Sequence, residues 1–323
     1  MKIKFLLSVI LCFLALGIMA QYDSDYFLSM AKFNLKEGKC ESAKKLYDVY
    51  KNHFHKTDTL VEAQIKNCGG GTTKGTTIHK NYTETAFGIN MRMVWVEGGE
   101  YMMGCTSEQN DCWDNEMTAH RVIVDGFYIG MLEVSQSQWN SVVGTTVYQQ
   151  RDKIHSSWSM YGVGADYPMY YINWDEAMEF CRRLSNRTGK TYTLPTEAQW
   201  EYAARGGKKA DGTKYAGSNN IDAVAWYKKN SGNKIHQCGL KRANALGIFD
   251  MNGNMWEWCK DWYTESRVNY VANNPTGPSS GMLHVYRGGS WHSDASECRI
   301  SCRYGYAPSY RDGDIGFRVV CIP

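Results

Sequence analysis

The sequence predicts an α+β domain with much irregular structure, preceded by a small helical unit. Between residues 86 and 323, short strand-like runs and two helical patterns occur, but they do not alternate as a parallel α/β sheet requires. Long segments rich in glycine, asparagine and tyrosine separate these runs. Residues 24–68 differ from the rest, because their apolar side chains recur at helical spacing.

The first residues are typical of a secretory signal peptide. Lys2 and Lys4 precede an apolar run over residues 5–18, and Ala20 supplies a small residue for cleavage. An uncleaved anchor is the alternative, because this run approaches the length that spans a membrane. We predict a secreted or periplasmic protein that loses residues 1–20 and then has no membrane span. Cleavage would leave 34 basic and 33 acidic side chains, a balance that argues against nucleic-acid binding.

Residues 21–68 are predicted to form a helical unit that resembles a single tetratricopeptide repeat. Apolar residues recur at helical spacing on both sides of Glu37-Gly38, and a third short helix is predicted near Thr59 to Asn67. One such repeat cannot bury its own apolar face, so we expect this unit to pack against another surface. Cys40 and Cys68 are candidates for a disulfide within it.

A segment rich in glycine and threonine, residues 69–85, is predicted to link this unit to the main domain, residues 86–323. In the main domain, strands are predicted within MVWVEGGEYMMG, HRVIVDGFYIGMLEVS, VYRGGSW and GFRVVCI. One helix is predicted over NWDEAMEFCRRLSNRTGK. A second is predicted over LPTEAQWEYAARGG, where Thr196 and Gln199 match a capping box and Gly206-Gly207 ends the helix.

Ten cysteines would remain after removal of the signal peptide, and an even number in an exported protein is compatible with several disulfides. Buried free cysteines that pack as small apolar residues are the alternative. Cys105 and Cys112 flank a short polar loop, which predicts a local disulfide between them.

The segment FDMNGNMWEWCKDW, residues 249–262, combines oxygen-bearing side chains with a glycine turn. Asp250 and two asparagines flank Gly253, and Glu257 follows. Calcium binds six to eight oxygen ligands of this kind, including backbone carbonyls. A turn whose side chains bond their own backbone is the alternative, and the spacing does not decide between the two.

The segment GGSWHSDASECRISCR, residues 288–303, contains Cys298 and Cys302. Arg299 and Arg303 would supply the positive charge that a reactive thiolate needs. Structural cysteines are the alternative, because most cysteines of exported domains are structural. A zinc site is not predicted, since the sequence has no paired CxxC motif and no HExxH motif.

Seven segments, taken in order along the chain, resemble the sulfatase-modifying factor family, which includes the formylglycine-generating enzymes. They span about residues 92–320 and are VEGGEYMMG, HRVIVDGFYIGMLEVSQSQW, YPMYYINWDEAMEFCRRLS, YTLPTEAQWEYAARGG, NALGIFDMNGNMWEWCKDWY, RGGSWHSDASECRISCRYG and IGFRVV. The resemblance implies a compact, irregular fold related to that of C-type lectins. It also implies calcium at the oxygen-rich turn, bound by Asp250 and Glu257 and by the backbone carbonyls of Gly253 and Met255.

Formylglycine-generating enzymes bind copper(I) through two cysteines and use O₂ to oxidise a cysteine of a sulfatase to formylglycine. The resemblance places this C-x4-C pair after the Gly-Gly-Ser turn that ends at Ser290, where this chain has Ser293 and Cys298. Thiolates suit copper(I) and a serine hydroxyl does not, so this departure argues against copper oxidase activity. These three residues and Trp256 form the candidate site.

Two functions follow from the resemblance. The first is the family's oxidation of a cysteine in a protein or peptide partner, a sulfatase being one candidate. The second is a non-catalytic binding or scaffolding module with a lectin-like fold, at the cell surface or in the periplasm. Such a module would use the same pocket for a peptide, a glycan or a partner protein.

Overall fold

The computed structural model describes residues 24–36, 40–67, 79–265 and 272–323. The predicted signal peptide and the predicted pairing of Cys40 with Cys68 lie outside the described residues. The chain divides into two compact units, Met1–Ile78 and His79–Pro323. Across the described ranges, no helix combines the length and the apolar character needed to cross a membrane.

The first unit is helical, as predicted, with α1 (Ser24–Lys36), α2 (Cys40–Phe54) and α3 (Thr59–Asn67). Its core is a small apolar cluster that includes Ala31 on α1, Tyr47 on α2 and Val61 on α3. The backbone N–H of Asp58 donates to the Tyr47 hydroxyl at 2.6 Å. The Asp58 carboxylate in turn accepts from the N–H groups of Leu60 and Val61 at 3.1 Å, so it caps the start of α3.

The second unit is a mixture of short helices and short strands, which confirms the predicted α+β class. Its described strands form a five-stranded sheet in the order β1-β2-β5-β12-β6, a four-stranded sheet in the order β10-β9-β7-β11 and a three-stranded sheet in the order β3-β4-β8. The strands are β1 (Tyr82–Glu84), β2 (Met91–Val96), β3 (Gly99–Met103), β4 (His120–Val124), β5 (Phe127–Gly130), β6 (Thr191–Thr193), β7 (Trp256–Trp262), β8 (Ala272–Asn273), β9 (His284–Arg287), β10 (Arg303–Tyr306), β11 (Ile315–Gly316) and β12 (Val320–Ile322).

The four predicted strand segments all contain strands, namely β2 with β3, β4 with β5, β9 and β12. The sequence predicts residues 69–85 as a linker, but Tyr82–Glu84 within this range form strand β1. Tyr82 pairs with Met93 of β2, so this strand belongs to the five-stranded sheet. Strand β7 begins directly after the oxygen-rich turn, in the segment WEWCKDW, where no strand is predicted. Side chains on both faces of β7 are buried, so its sequence lacks the alternation of polar and apolar residues that indicates a strand.

Four helices of the second unit begin at a capping box, in which a side chain accepts from the backbone N–H three residues on. They are α4 (Gln136–Val143), α5 (Val147–Asp152), α6 (Trp174–Thr188) and α7 (Glu197–Ala204). Helices α6 and α7 are the two predicted ones, capped by Asn173 and Thr196. Helices α4 and α5 are not predicted, although Ser135 and Thr146 supply the same signal for them.

Four arginines among the described residues of the second unit are buried, and each forms an ion pair with a buried glutamate. Burial of a charge is tolerated only when a partner and hydrogen bonds compensate it. The pairs are Arg287 with Glu201, Arg299 with Glu116, Arg303 with Glu197 and Arg318 with Glu257. Their side chains join segments that are far apart in sequence, so the irregular loops are fixed by charge pairing as well as by apolar packing.

The predicted disulfide between Cys105 and Cys112 is present. Six further cysteines of the described ranges are free, and five of these are buried. In this part of the chain the cysteines therefore act mainly as small apolar residues.

Replacing Cys105 and Cys112 together with serine is expected to lower the free energy of unfolding by about 2 kcal/mol, because the bridge closes only a short loop. Urea unfolding with and without reductant provides the measurement. The wild type should lose this stability in reductant and the double variant should not respond. A wild type that is indifferent to reductant would show that the bridge contributes nothing.

Candidate functional site

A cavity of about 370 Å³ opens at the four-stranded sheet, and each strand of that sheet lines it. The strand residues are Trp256 on β7, Tyr286 on β9, Tyr306 on β10 and Ile315 on β11. The loops add the remaining lining residues, Tyr161, Trp291, His292, Tyr310, Asp312 and Asp314. We call this space the aromatic cavity, because seven of its ten lining side chains carry a Trp, Tyr or His ring.

The short strand β11 positions one wall of the aromatic cavity. It runs parallel to β7 with Ile315 opposite Trp256, and the Trp256 backbone N–H donates to the Asp314 carbonyl at 2.9 Å. The Trp291 indole N–H donates to the Gly313 carbonyl at 3.1 Å. Hydrogen bonds from Trp256 and Trp291 thus hold the backbone of residues 312–315 in place.

The rings of the aromatic cavity meet at several angles. Trp256 and Tyr286 pack edge to face, with centroids 4.8 Å apart and an interplanar angle of 80°. Tyr306 and Tyr310 stack at 3.6 Å and 14°. A cavity with rings at such different orientations presents both ring faces and ring edges to a bound group.

Two carboxylates lie in the aromatic cavity. Asp312 accepts from the Tyr310 hydroxyl at 2.6 Å and from the Gly313 N–H at 2.5 Å. Asp314 accepts from the Ser290 hydroxyl at 3.0 Å. Burial, together with the nearby negative charge of Asp312, raises the pKa of Asp314 to about 6.

The predicted site residues Ser290 and Ser293 come together next to the aromatic cavity. Their hydroxyl oxygens are 3.3 Å apart, and both residues are buried. The backbone N–H of His292 donates to the Ser290 hydroxyl at 3.3 Å. Through its bond to Asp314, Ser290 connects the Gly-Gly-Ser turn to the cavity wall.

Cys298 lies apart from the aromatic cavity. It is fully buried in a separate apolar cluster with Tyr215 and Tyr227. A Cβ on Gly289 would lie 2.5 Å from its sulfur, so the thiol packs against the backbone of the Gly-Gly-Ser turn. Burial raises the pKa of Cys298 above its usual range, which disfavours the thiolate. Thus Trp256, Ser290 and Ser293 lie at or beside the cavity, and no cysteine is among the described residues that line it.

The arginines that would activate a thiolate are paired elsewhere. Arg299 donates to both oxygens of Glu116, at 2.5 and 2.6 Å, and Arg303 donates to both oxygens of Glu197, at 2.6 and 2.8 Å. Burial raises the pKa of Cys302 well above its usual range. The charge of Arg299 still lowers the pKa of Cys302, but burial raises that pKa more, so the thiolate is disfavoured.

Asp250 and Glu257 of the oxygen-rich segment, residues 249–262, are buried close to Glu133. We call these three carboxylates the acidic cluster. Arg318 donates to both oxygens of Glu257 at 2.6 Å, and the Trp200 indole N–H donates to the same carboxylate at 2.7 Å. Arg318 therefore compensates Glu257 directly, while its charge and that of Lys241 also act on Asp250. Burial raises the pKa of Glu133 well above its usual range and the pKa of Asp250 to about 6.

The two asparagines of the turn, Asn252 and Asn254, form hydrogen bonds with residues that are distant in sequence. A turn whose side chains bond their own backbone, the alternative to calcium, would not show these bonds. Asn252 accepts from the Ala216 N–H at 2.6 Å and donates to the Cys298 carbonyl at 2.6 Å. Asn254 donates from Nδ2 to Glu133 at 3.0 Å, and its Oδ1 accepts from the His236 N–H at 3.0 Å. Their side-chain oxygens are therefore committed to the fold.

The oxygens of the acidic cluster fit a hard cation at Asp250. Its Oδ1 is buried without a hydrogen-bond partner, while Oδ2 accepts from the Gly239 N–H at 2.5 Å. Glu257 receives three hydrogen bonds and keeps about one of its four acceptor positions. In the described part of the chain, no three His, Cys, Asp or Glu side chains are placed to hold a metal ion by themselves. A calcium ion here would therefore also need backbone carbonyls, as in the set implied for Gly253 and Met255.

Most residues of the aromatic cavity are not predicted from the sequence. Its missed members include Tyr306, Tyr310, Asp312 and Asp314, which all lie in RYGYAPSYRDGD. Three tyrosines and two aspartates within twelve residues are a usable signal, because tyrosine and aspartate together are common in binding sites and uncommon in cores.

Comparison with known proteins identifies relatives of the second unit. Residues 80–322 match the family described as sulfatase-modifying factor enzyme 1-like domain. The chain is 28% identical to the formylglycine-generating enzyme of Mus musculus, in an alignment that covers 70% of this chain and 74% of the enzyme. It is also 28% identical to the chaperone protein LppX of Paenibacillus barcinonensis, in an alignment that covers 71% of this chain and 88% of LppX.

Among solved structures, the chain is similar to Treponema denticola variable protein 1, with a TM-score of 0.65 and 29% identity. The match covers 77% of this chain and all of that protein. A formylglycine-generating enzyme and a chaperone protein therefore match this chain in sequence, and a variable protein matches its fold.

Proposed function

Because the chain belongs to the family of sulfatase-modifying factor enzyme 1-like domains, with the α+β, C-type-lectin-like fold predicted above, we propose that it is a binding module of that family without copper oxidase activity. It would bind a protein or peptide through the aromatic cavity. The observation that carries this proposal is the position of Cys298, which is buried against Gly289 outside the cavity.

The chemistry of the site supports this proposal. Copper(I) binding needs soft ligands such as thiolates, and the described polar groups at and next to the aromatic cavity are hydroxyls, the carboxylates of Asp312 and Asp314, and the single imidazole of His292. One imidazole without a thiolate does not replace the pair of cysteines. A single thiol with a raised pKa, enclosed by apolar side chains, is a poor ligand and a poor nucleophile. The aromatic walls of the cavity, in contrast, remain suited to recognition.

We further propose that the protein acts outside the cytoplasm, either secreted or in the periplasm. The signal-like pattern of residues 1–20 supports this location. The disulfide between Cys105 and Cys112 supports it as well, because such bonds persist mainly in oxidising compartments.

An aldehyde assay tests the loss of the oxidase activity. Residues 21–323 are incubated with copper(I), O₂ and a peptide that contains Cys-x-Pro-x-Arg, and the peptide is examined by mass spectrometry. We expect no aldehyde and a copper(I) affinity equal to that of the Cys298→Ser variant. Aldehyde that forms with the wild type and disappears with Cys298→Ser would overturn the proposal.

We also propose that the acidic cluster binds calcium as a structural ion. The unpartnered Oδ1 of Asp250 and the excess of buried negative charge support it. Such an ion would stabilise the turn that precedes β7, and so the start of the strand that carries Trp256.

Calcium at a hundredfold excess over its Kd is expected to raise the free energy of unfolding by about 2–3 kcal/mol relative to a sample in chelator. Urea unfolding with and without calcium measures the difference. Asp250→Ala should abolish the response, whereas Asp250→Asn, which keeps an oxygen, should retain part of it. Equal unfolding midpoints in calcium and chelator would refute the calcium site.

A further inference from the structure

We infer that the aromatic cavity binds an alkylammonium cation, meaning a methylated or quaternary ammonium group carried by the ligand. This inference rests on the proposed function, in which the cavity is a binding site, and it adds the chemical class of the bound group. Two features of the cavity support it, namely the number of rings and the sign of the charge.

The rings provide surfaces that attract a cation. An ammonium group over the face of a Trp or Tyr ring is stabilised by the negative potential of that face, and several rings around one group form an aromatic cage. Trp256 and Tyr286 meet at 80°, while Tyr306 and Tyr310 stack as a pair, so the walls face the space from different directions. Tyr306 is 40% exposed, which leaves its ring accessible to a ligand.

The charge of the cavity is negative. Asp312 and Asp314 line it, and no lysine or arginine is among the described lining residues. The hydrogen bonds that these carboxylates accept come from neutral donors, which are hydroxyls and a backbone N–H. The neighbouring Arg311 is paired with Glu176. The negative charge is therefore available to a cationic ligand.

The small number of strong acceptors favours a methylated ammonium over a guanidinium. A guanidinium carries five N–H donors that all require partners when buried. Besides the two carboxylates, which already accept hydrogen bonds, the described lining side chains offer only tyrosine hydroxyls and the His292 imidazole as acceptors. A methylated ammonium needs few hydrogen bonds and is stabilised by ring faces. The volume of about 370 Å³ also suits a small group.

The binding should depend on pH. Asp314 is faced by Asp312 and by His292, and its pKa is about 6. A cation interacts favourably only with the ionised carboxylate, so affinity should rise as the pH increases from 5 to 7.5. Protonation of Asp314 below about pH 6 removes one of the two negative charges.

Titration with choline and with 3,3-dimethyl-1-butanol tests this inference. The two compounds have nearly the same shape, but the alcohol has a carbon atom in place of the charged nitrogen. Isothermal titration calorimetry on residues 21–323 at pH 7.5 gives both affinities. We expect choline to bind at least tenfold more tightly than the alcohol, and less tightly at pH 5.

Variants locate the binding. Asp314→Asn and Tyr306→Ala should each weaken choline binding at least tenfold, and Asp312→Asn provides the same test if Asp314→Asn does not fold. Tyr148→Ala is the matched control, because Tyr148 is 47% exposed and does not line the cavity. It should bind choline as the wild type does.

The outcomes separate the inference from the proposed function. Equal affinity for the two compounds, or no binding of choline, would overturn the ammonium inference and leave the binding module in place. Aldehyde formation in the peptide assay would overturn the binding module, whatever the choline titration shows. Choline binding that Tyr306→Ala leaves unchanged would also contradict the inference, since the cation would then bind elsewhere.

Discussion

Replacement of Arg318 with methionine is expected to lower the free energy of unfolding by about 3–5 kcal/mol. The Arg318 side chain is fully buried and donates to both oxygens of Glu257, to the Gly130 carbonyl at 3.0 Å and to the Phe249 carbonyl at 3.0 Å. Methionine fills much of the same volume but carries no charge. Glu257 would then remain buried beside Glu133 and Asp250 without any compensating guanidinium.

Urea unfolding measures this effect, with Arg182→Met as the matched control. Arg182 forms an equally short ion pair with Glu179, at 2.6 Å, but 61% of its side chain is exposed. Exposed ion pairs contribute little, so this control should unfold as the wild type does. The double variant Arg318→Met/Glu257→Gln should regain part of the loss, because both charges are then removed. Equal stabilities of Arg318→Met and Arg182→Met would contradict the prediction.

Replacement of Gly253 with alanine is expected to cost about 3 kcal/mol or more. Gly253 has φ of +68°, a conformation that costs an L-residue about 1–2 kcal/mol. In addition, its Cβ would lie 2.1 Å from the Trp226 carbonyl oxygen. That oxygen accepts from the Asn254 N–H at 2.7 Å and belongs to the backbone, so it cannot move aside as a side chain could.

Gly212→Ala separates the two causes. Gly212 has φ of +67°, and nothing lies within 4 Å of the position of its Cβ. This variant should therefore lose only the cost of the backbone conformation, about 1–2 kcal/mol. The measurement is the urea midpoint of both variants. If Gly253→Ala were no less stable than Gly212→Ala, the close approach to Trp226 would not contribute to the loss of stability.

The sequence predicts the local structure of the second unit where the signal is local. The capping box at Thr196, the helix that Asn173 caps and the Cys105–Cys112 disulfide each depend on residues a few positions apart. Order along the chain likewise suffices to identify the family, because seven matching segments occur in sequence. Strand β7 differs, because tertiary burial on both faces removes the periodic pattern.

The site is less predictable because its residues meet only in the fold. Tyr161, Trp256 and Asp314 line one cavity from positions more than fifty residues apart. The sequence places Cys298 within a few residues of Ser290, yet the turn directs the two side chains to different surroundings. Spacing shows which residues are neighbours along the chain, but it does not show which side of a glycine turn a thiol will occupy.

Strand β12 has a consequence for the order of events during biosynthesis. It lies between β5 and β6 in the five-stranded sheet, with Val320 opposite both Ile129 and Thr193. A nascent chain that has emerged only as far as residue 300 would expose the hydrogen-bonding edges of both neighbouring strands, and unpaired edges favour association between chains. Translation must therefore pass residue 322 before this sheet can close. An exported chain would benefit from being kept extended until then, which suits transport across a membrane before folding.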